Sequence, residues 1–423
     1  MKNKLILDSK YITDKLGPKY QNISNIFSDK FGIINAILKR KELSKYNLYM
    51  YQCLSANAVE LFDLSREVSS GGLGVNENEN VALLSCIAEA VERYCMSFVK
   101  KDDIIFSYKK DLDERHVFKK FHLYTDEQYK INQEFLNPNK DKIHWVKINS
   151  VDSKNWMYWP ASLIYLPFDL SKPVAETTST GMAAGLSIDD CVKSGLLELI
   201  ERDSLMINFM QELNPPELEV DTISGCNIEL IKSIKKKYKI HIYKLYNDLN
   251  VPSYFSIIYT KRLGKIHYGI GACSHFDSDI AINKSLKECL FTYFYSKNIM
   301  DLRKTNPDEI KTLYEHFLYY QRENFKYLLF NSEKISYQKE KISYKELLKK
   351  LKNKNMEVYY KELTTSDIKD TKLKVVKVVV PGLIDLNKSH IYQRLDAERF
   401  WTVPRELNLK CSDKLSSKPH PFP

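Results

Sequence analysis

Two stretches of the chain repeat four polar residues in the order Ser-x-x-x-Glu-x-x-Glu-Arg. They are LLSCIAEAVERYC (83–95) and VKSGLLELIERDS (192–204). The repeated residues are Ser85, Glu89, Glu92 and Arg93 in the first stretch and Ser194, Glu198, Glu201 and Arg202 in the second. Carboxylates bind divalent cations, and guanidinium groups donate well to phosphate oxygens. Each stretch therefore carries residue types suited to metal and phosphate chemistry.

The spacing places these residues on one side of a helix. At about 100° per residue the four polar side chains share an arc roughly 100° wide, and apolar residues fill the opposite arc. Each helix thus has an apolar back and an acidic front. A single front of this kind is typical of a helix face exposed to water.

The repetition extends beyond the helices. A shift of 109 residues, which superposes Ser85 on Ser194, also aligns the loop SGGLGVN from Ser70 with STGMAAG from Ser179. The sequence therefore predicts an internally duplicated loop–helix unit. Two matched copies favour the interpretation that both acidic fronts face one shared cavity.

Carboxylates brought together in this way need compensation. Two like charges 4 Å apart repel by about 4 kcal/mol at an effective dielectric constant of 20. Bound Mg²⁺, which typically accompanies phosphate, relieves that repulsion, and the small-residue loops let backbone N–H groups approach an anion. The chain has no G-x-x-x-x-G-K-[ST] motif. The residues thus favour a nucleotide site of another kind, with metal-free ion pairing as the alternative.

The rest of the chain predicts helices laid on sheets. Helical periodicity covers 79–101, 187–212, 278–302, 307–323 and 341–353, and short β-rich runs cover 142–151, 240–247, 253–260, 266–274 and 372–383. Without a strict βαβ rhythm, this mixture favours an α+β fold with mixed or antiparallel sheets covered by helices. We expect an N-terminal portion (1–65), a catalytic domain (66–405) and a Pro-rich tail (406–423).

Composition excludes several classes of protein. Hydrophobic residues make up 43% and charged residues 28% of the 423, a balance typical of a globular chain. The net charge of +10 is spread over scattered lysines without a nucleic-acid module, and no apolar stretch reaches the length of a membrane span. Eight scattered cysteines without a C-x-x-C pair predict buried free thiols in a cytoplasmic protein.

These motifs together resemble the YcaO superfamily. The two repeated helices, the loop TSTGMAAG (178–185), the strand VVVPGL (378–383) and the ending PHPFP carry the resemblance, from about residue 66 to the C-terminus. It implies a YcaO-type fold with ATP and Mg²⁺ as cofactors. The similarity is to the stand-alone cyclodehydratase D proteins that modify ribosomally made peptides such as bacteriocins and thiazole/oxazole-modified microcins.

The resemblance also implies roles for individual residues. The expected metal ligands are Glu89, Glu92, Glu198, Glu201 and Glu288, and the expected nucleotide-binding residues are Ser85, Arg93, Ser194, Arg202 and Arg399. The expected catalytic residues are Glu92, Glu201 and the terminal Pro423, whose carboxylate would help to move a proton. The sequence departs from the family pattern at Leu73, where Lys is common, and at Phe291, where Gln is usual.

The implied activity is ATP-dependent closure of thiazoline or (methyl)oxazoline rings from Cys, Ser or Thr residues of a precursor peptide. The hemiorthoamide oxygen would be phosphorylated and then leave as phosphate. The implied partners are the precursor peptide, a leader-binding cyclodehydratase partner and an FMN-dependent azoline dehydrogenase, in a hetero-oligomer or a homodimer. Peptide thioamidation and a non-catalytic scaffold remain alternatives.

Overall fold

The computed structural model describes residues 4–30, 32–56, 71–225, 228–262, 265–298 and 306–422. It divides the chain into two compact units. Unit 1 comprises Met1–Leu196 and Val358–Val380, and unit 2 comprises Leu197–Glu357 and Pro381–Pro423. The domain boundaries expected after residues 65 and 405 remain predictions.

Within these residues the α-helices are α1 (Ser9–Leu16), α2 (Glu79–Ser97), α3 (Asp126–Ile131), α4 (Ile188–Met210), α5 (Ile228–Lys235), α6 (Ser278–Asn298), α7 (Leu313–Tyr319), α8 (Tyr344–Asn353), α9 (Ser366–Lys369) and α10 (Arg399–Glu406). The strands are β1 (Lys4–Ile6), β2 (Ile34–Arg40), β3 (Tyr49–Ser55), β4 (Gly72–Asn76), β5 (Ile104–Tyr108), β6 (Lys142–Ser150), β7 (Trp156–Pro160), β8 (Met182–Gly185), β9 (Glu217–Leu218), β10 (Lys239–Lys244), β11 (Ser253–Arg262), β12 (Lys265–Ser274), β13 (Lys334–Ile335), β14 (Tyr359–Glu362) and β15 (Lys374–Val379).

Unit 1 contains two sheets. One has the strand order β1-β2-β3-β4, and the other has the order β5-β6-β14-β15-β8, with β7 paired to β6. All of these pairings are antiparallel. The apolar back of α2 lies in the core of this unit, where Leu83, Ile87 and Val91 are buried. That core fixes which face of α2 carries the acidic front.

Unit 2 contains one mixed sheet, of order β12-β11-β10-β9-β13, in which β13 runs parallel to β9. Its core joins the C-terminal part of α4, the inner face of this sheet and α10. Phe422, near the chain end, is part of the same core. The predicted α+β fold is therefore confirmed in both units.

Local sequence explains where helix α2 begins. The Asn78 side chain accepts hydrogen bonds from the N–H groups of Asn80 and Val81, which are otherwise unpaired at the start of α2. Helix α2 can lie close to β4 because Gly72 has no side chain. A Cβ there would stand 2.1 Å from the Cys86 carbonyl oxygen.

The prediction of a helix over 307–323 is wrong for most of that range. The range 307–323 contains only α7 as α-helix, with a 3₁₀ helix at Pro307–Glu309. A capping box formed by Thr312 and Glu315 starts α7 at Leu313. The predicted helices at 79–101, 187–212 and 341–353 are confirmed with shifted ends. The helix at 278–302 is confirmed to Asn298, and 299–302 lies outside the described residues.

The cysteines behave as expected where they are described. Seven fall in the described ranges; all seven are free thiols, and all but Cys411 are buried. Cys226 lies outside those ranges. Over the same ranges, no helix is long and apolar enough to cross a membrane.

Candidate functional site

The acidic front of α2 is held by backbone amides. The Glu89 carboxylate accepts the Leu73 N–H at 2.8 Å, and Arg93 donates to its other oxygen from Nη2 at 2.6 Å. Glu92 accepts the Ala184 N–H of β8 at 2.7 Å. The three front side chains are half-buried. Their orientation is thus fixed by two different strands of unit 1.

The presence of Leu73, where the family commonly has lysine, leaves the contact with Glu89 intact. The donor to Glu89 is a backbone N–H, which a residue of any type other than proline supplies. Leu73 can therefore orient the carboxylate as well as lysine would. It cannot supply a positive charge.

A second acidic cluster lies in unit 2. Arg202 Nη1 is 3.2 Å from Glu201 Oε1, and Arg202 Nη2 is 3.8 Å from Glu198 Oε1. Glu201 also accepts the Ser274 N–H at 3.3 Å. Glu288, on α6, accepts the Ala272 N–H at 2.8 Å. Glu198 and Glu201 therefore lie within 4 Å of one guanidinium group, and the charge of Glu288 also acts on that group.

Arg202 has unused donors. Its Nε atom is buried and makes no hydrogen bond within the described part of the chain, and its buried Nη1 atom has the ion-pair contact with Glu201 without hydrogen-bond geometry. A buried charged donor without a partner costs free energy that an anionic ligand could recover. Phosphate oxygens fit such a planar donor well.

The carboxylates resist ionisation. The pKa of Glu201 is raised to about 8, mainly by burial; Arg202 opposes the rise, and neighbouring Glu288 and Glu198 add to it. Burial likewise raises the pKa of Glu288 to about 7, against the lowering effect of Arg202. Both carboxyl groups would favour the charged form if a cation bound beside them. This chemistry fits Mg²⁺.

The described residues do not form a metal cage from protein ligands alone. Among them, no three His, Cys, Asp or Glu side chains are grouped so that they could hold an ion. Mg²⁺ commonly takes only one or two protein carboxylates and completes its shell with water and phosphate. The arrangement is therefore compatible with a cation that arrives with a phosphate ligand.

The two serines of the repeated motif are exposed. Ser85 lies one turn before Glu89, and Ser194 lies one turn before Glu198. Both hydroxyl groups are accessible to a ligand. Their nucleotide-binding role, and the convergence of the two acidic clusters on one cavity, remain predictions.

Arg399 has a different environment from the one expected. Its guanidinium group donates to Asp203 from Nε at 2.8 Å and Nη2 at 2.7 Å, and to Asp248 from Nη1 at 3.1 Å and Nη2 at 2.7 Å. Only 9% of Arg399 is exposed. This geometry favours a structural ion pair, and its nucleotide-binding role stays a prediction. Asp203, which follows Arg202 directly, gave no signal in the sequence because its partners are so far along the chain.

The structural role of Arg399 can be tested by measuring the free energy of unfolding. We expect Arg399→Ala to lower the free energy of unfolding by about 3–5 kcal/mol, because it leaves the buried Asp203 without its guanidinium partner and leaves Asp248 with Lys354 alone. Denaturant titration would measure this. Arg405→Ala, an exposed change on the same helix, should stay within about 0.5 kcal/mol. A stable Arg399→Ala protein with weakened ATP binding would support the nucleotide role instead.

The C-terminal tail is packed into unit 2. Tyr320 donates to the Pro419 carbonyl, and His316 Nδ1 donates to the His420 carbonyl at 3.0 Å. His420 Nε2 donates to the Asn387 carbonyl at 2.6 Å. No local sequence pattern pointed to these anchors, because they come from segments far apart in the chain.

The tail ends beside Arg202. The Phe422 ring is 2% exposed, and its centroid lies 4.9 Å from the guanidinium carbon of Arg202. A cation–π contact of this kind holds the guanidinium plane in place. Pro423, predicted to be catalytic, lies outside the described residues.

These features describe a protein that can bind a phosphate-bearing ligand together with a cation. A family model described as "YcaO cyclodehydratase, ATP- and Mg²⁺-binding" matches residues 73–384. The chain therefore belongs to the YcaO family.

Solved structures agree on the fold. A heterocyclase in complex with substrate and cofactor has a TM-score of 0.74 at 18% identity, covering 98% of this chain and 57% of its own. YcaO from Methanopyrus kandleri, bound with AMPPCP and Mg²⁺, has a TM-score of 0.57 at 17% identity, covering 83% of this chain and 86% of its own. The E. coli microcin synthetase McbBCD complex has a TM-score of 0.61 at 17% identity, covering 92% of this chain and 96% of its own. The chain thus spans little more than half the length of the first of these proteins.

Proposed function

We propose that the chain is an ATP-dependent cyclodehydratase that forms thiazoline or (methyl)oxazoline rings in a ribosomally made peptide. Family membership supports the class of reaction. The observation that carries the proposal is the Arg202 cluster. There, a buried guanidinium group whose Nε makes no hydrogen bond in the described part of the chain lies beside carboxyl groups with raised pKa values and against the chain's own tail.

In the proposed reaction, the thiol or hydroxyl group of a Cys, Ser or Thr of the peptide loses its proton to solvent as it attacks the preceding carbonyl carbon. The resulting hemiorthoamide oxygen accepts the γ-phosphoryl group of ATP and leaves as phosphate, and loss of the amide proton completes the C=N bond. ADP and phosphate are the by-products. Most of the catalysis in such a transfer comes from positioning and charge stabilisation.

The residues of this chain have separable roles in that proposal. Arg202 and Arg93 would donate to phosphate oxygens, and Ser85 and Ser194 would add hydroxyl donors. Mg²⁺ would take its protein ligands from among Glu89, Glu92, Glu198, Glu201 and Glu288, and would neutralise phosphate charge when bound. The Pro423 carboxylate would accept the amide proton.

Partner proteins belong to the same proposal. A structure of McbBCD with pro-MccB17 bound has a TM-score of 0.59 against this chain, at 16% identity. By analogy we propose that this chain acts on a precursor peptide together with a leader-binding partner. An FMN-dependent dehydrogenase would then oxidise azolines to azoles.

Mass spectrometry of a precursor peptide incubated with the chain, its partner and ATP tests the function. Ring formation lowers the mass by about 18 Da per site. A gain near 16 Da would indicate thioamidation, and an unchanged mass in the complete mixture would indicate a non-catalytic scaffold. Either of the last two results contradicts the proposal.

Binding of Mg²⁺ with ATP should depend on pH. We expect affinity to increase as the pH rises from about 6 to about 8.5, because Glu201 and Glu288, with pKa values raised to about 8 and about 7, hold protons at the lower end. The cation must displace those protons. Calorimetry in two buffers of different ionisation enthalpy would detect proton release, which Glu201→Gln should reduce. Equal heats in both buffers would contradict this.

A further inference from the structure

Strand β5 forms one edge of the second sheet of unit 1. In the strand order β5-β6-β14-β15-β8, β6 is the neighbour that pairs with β5, and the pairing is antiparallel. On its other side, β5 has no strand partner within the described residues. Backbone N–H and C=O groups at such an edge can bind a strand from another chain.

The side chains of β5 are apolar and exposed. Ile105 is 40% exposed, Phe106 is 50% exposed and Tyr108 is 41% exposed. Because Ile105 and Phe106 are consecutive, they lie on opposite faces of the strand, so neither face is fully covered. Edge strands that stay free in solution usually carry charges or a bulge, or are covered by another element. An apolar edge strand of this kind is typical of a protein–protein contact.

Charged residues flank β5 in a pattern that is inverted about its centre. Lys101 and Asp102 precede the strand, and Lys110 and Asp111 follow it. Phe106 stands midway between Lys101 and Asp111 in the chain, and it also stands midway between Asp102 and Lys110. All four charged side chains are exposed, and none forms an ion pair within the described residues. Opposite charges therefore occupy equivalent positions on the two sides of Phe106.

We propose that two copies of the chain pair through β5, antiparallel and centred on Phe106, so that one sheet continues across a two-fold dimer. The inference does not depend on the proposed function. In this register Lys110 lies opposite the partner's Asp102, and Lys101 lies opposite the partner's Asp111. Two-fold symmetry makes each of these contacts occur twice. A parallel pairing in register would place each lysine against its own copy, so the charges select the antiparallel arrangement.

The apolar side chains fit the same register. Residues that lie opposite each other in an antiparallel pair project to the same face of the sheet. Phe106 would meet the partner's Phe106, and Ile104 would meet the partner's Tyr108. Cross-strand pairs of aromatic and β-branched residues stabilise antiparallel strands. The Phe106 ring is already stacked on His144, with centroids 4.5 Å apart, so it is positioned for this contact.

Sedimentation velocity of the full-length chain over a range of concentrations tests the proposal. We expect a reversible equilibrium between monomer and dimer. Lys110→Glu places like charges opposite each other at both ends of the paired strands, so it should raise the dissociation constant of the dimer about ten-fold. Asp102→Lys should have the same effect through two lysine pairs. Lys154→Glu, at an exposed lysine between β6 and β7, makes the same charge change as Lys110→Glu and should leave the constant unchanged.

A mixture of two variants tests the register itself. When a Lys110→Glu chain pairs with an Asp102→Lys chain, opposite charges face each other again at both ends. The mixture should therefore dimerise about as tightly as the wild type, although each variant alone dimerises weakly. Mixing Asp102→Lys with Lys154→Glu should not restore the affinity. A mixture of the first two variants that stays as weak as each variant alone would overturn the inference.

Two further measurements can contradict the proposed interface. A wild-type chain that is monomeric at every concentration overturns the inference and leaves β5 to a different partner. A dimer that Phe106→Asp does not weaken also overturns it, because the interface then lies elsewhere. Hydrogen exchange of the β5 amides should slow as the wild-type concentration rises, and exchange that is independent of concentration would contradict the pairing. The denaturation midpoint of each variant should match that of the wild-type monomer, since the substituted side chains are exposed.

Discussion

Replacing Glu201 by glutamine should lower the rate of ATP-dependent ring formation by about 10²–10³-fold, the usual size of the loss when one electrostatic group is removed from a reaction site. Glu201 is 8% exposed, contacts Arg202 and accepts the Ser274 N–H. A glutamine oxygen can still accept that N–H. The substitution therefore keeps the shape and removes the negative charge that Glu201 carries once a cation is bound. Single-turnover measurements of peptide mass would give the rate.

Glu92→Gln should have a comparable effect on ring formation. Its carboxylate accepts the Ala184 N–H, which a glutamine oxygen can also accept. Glu229→Gln, an exposed change on α5, provides the matched control and should form rings at the wild-type rate. Wild-type rates in both Glu92→Gln and Glu201→Gln would show that the acidic fronts are not the reaction site.

Periodicity was sufficient to predict the long helices because their apolar faces are continuous along the chain. The back of α2 runs through Leu83, Ile87 and Val91, all buried. The same pattern also predicted which residue types lie on the opposite, acidic face of α2. It could not show that Glu92 binds an amide of β8, since Ala184 carries no distinguishing side chain.

Residue type alone was a poor guide to the role of Arg399. An arginine near a phosphate site and an arginine in a buried ion pair look alike in sequence. Asp248 lies 151 residues from Arg399, and no local pattern connects them. Such long-range polar pairs depend on the tertiary fold, which periodicity does not encode.

The C-terminal tail is a second case in which the local sequence pattern does not predict tertiary contacts. Alternating prolines predict an extended end with few N–H donors, and they say nothing about what that end contacts. The structure buries Phe422 with Phe255 in the core of unit 2, with ring centroids 6.1 Å apart. The anchors Tyr320 and His316 accommodate this ending because they donate to tail carbonyl groups, which proline retains.

Removing residues 419–423 should abolish detectable ring formation and lower the free energy of unfolding by about 3 kcal/mol. The stability loss follows from the deletion of Phe422, a fully buried aromatic side chain. The activity loss follows because Arg202 would lose the ring that holds its guanidinium group, and the proposed proton acceptor would be absent. Denaturant titration and peptide mass spectrometry measure the two effects separately.

Two smaller changes separate the role of the Phe422 ring from the role of the terminal carboxylate. Phe422→Leu keeps an apolar side chain in the core and removes the aromatic face, so it should weaken ATP binding several-fold with a modest loss of stability. Deleting Pro423 alone keeps Phe422 and moves the terminal carboxylate, so it should slow ring formation while ATP binding and stability stay close to the wild type. If the protein without residues 419–423 still formed rings at the wild-type rate, the packed tail would serve only the fold.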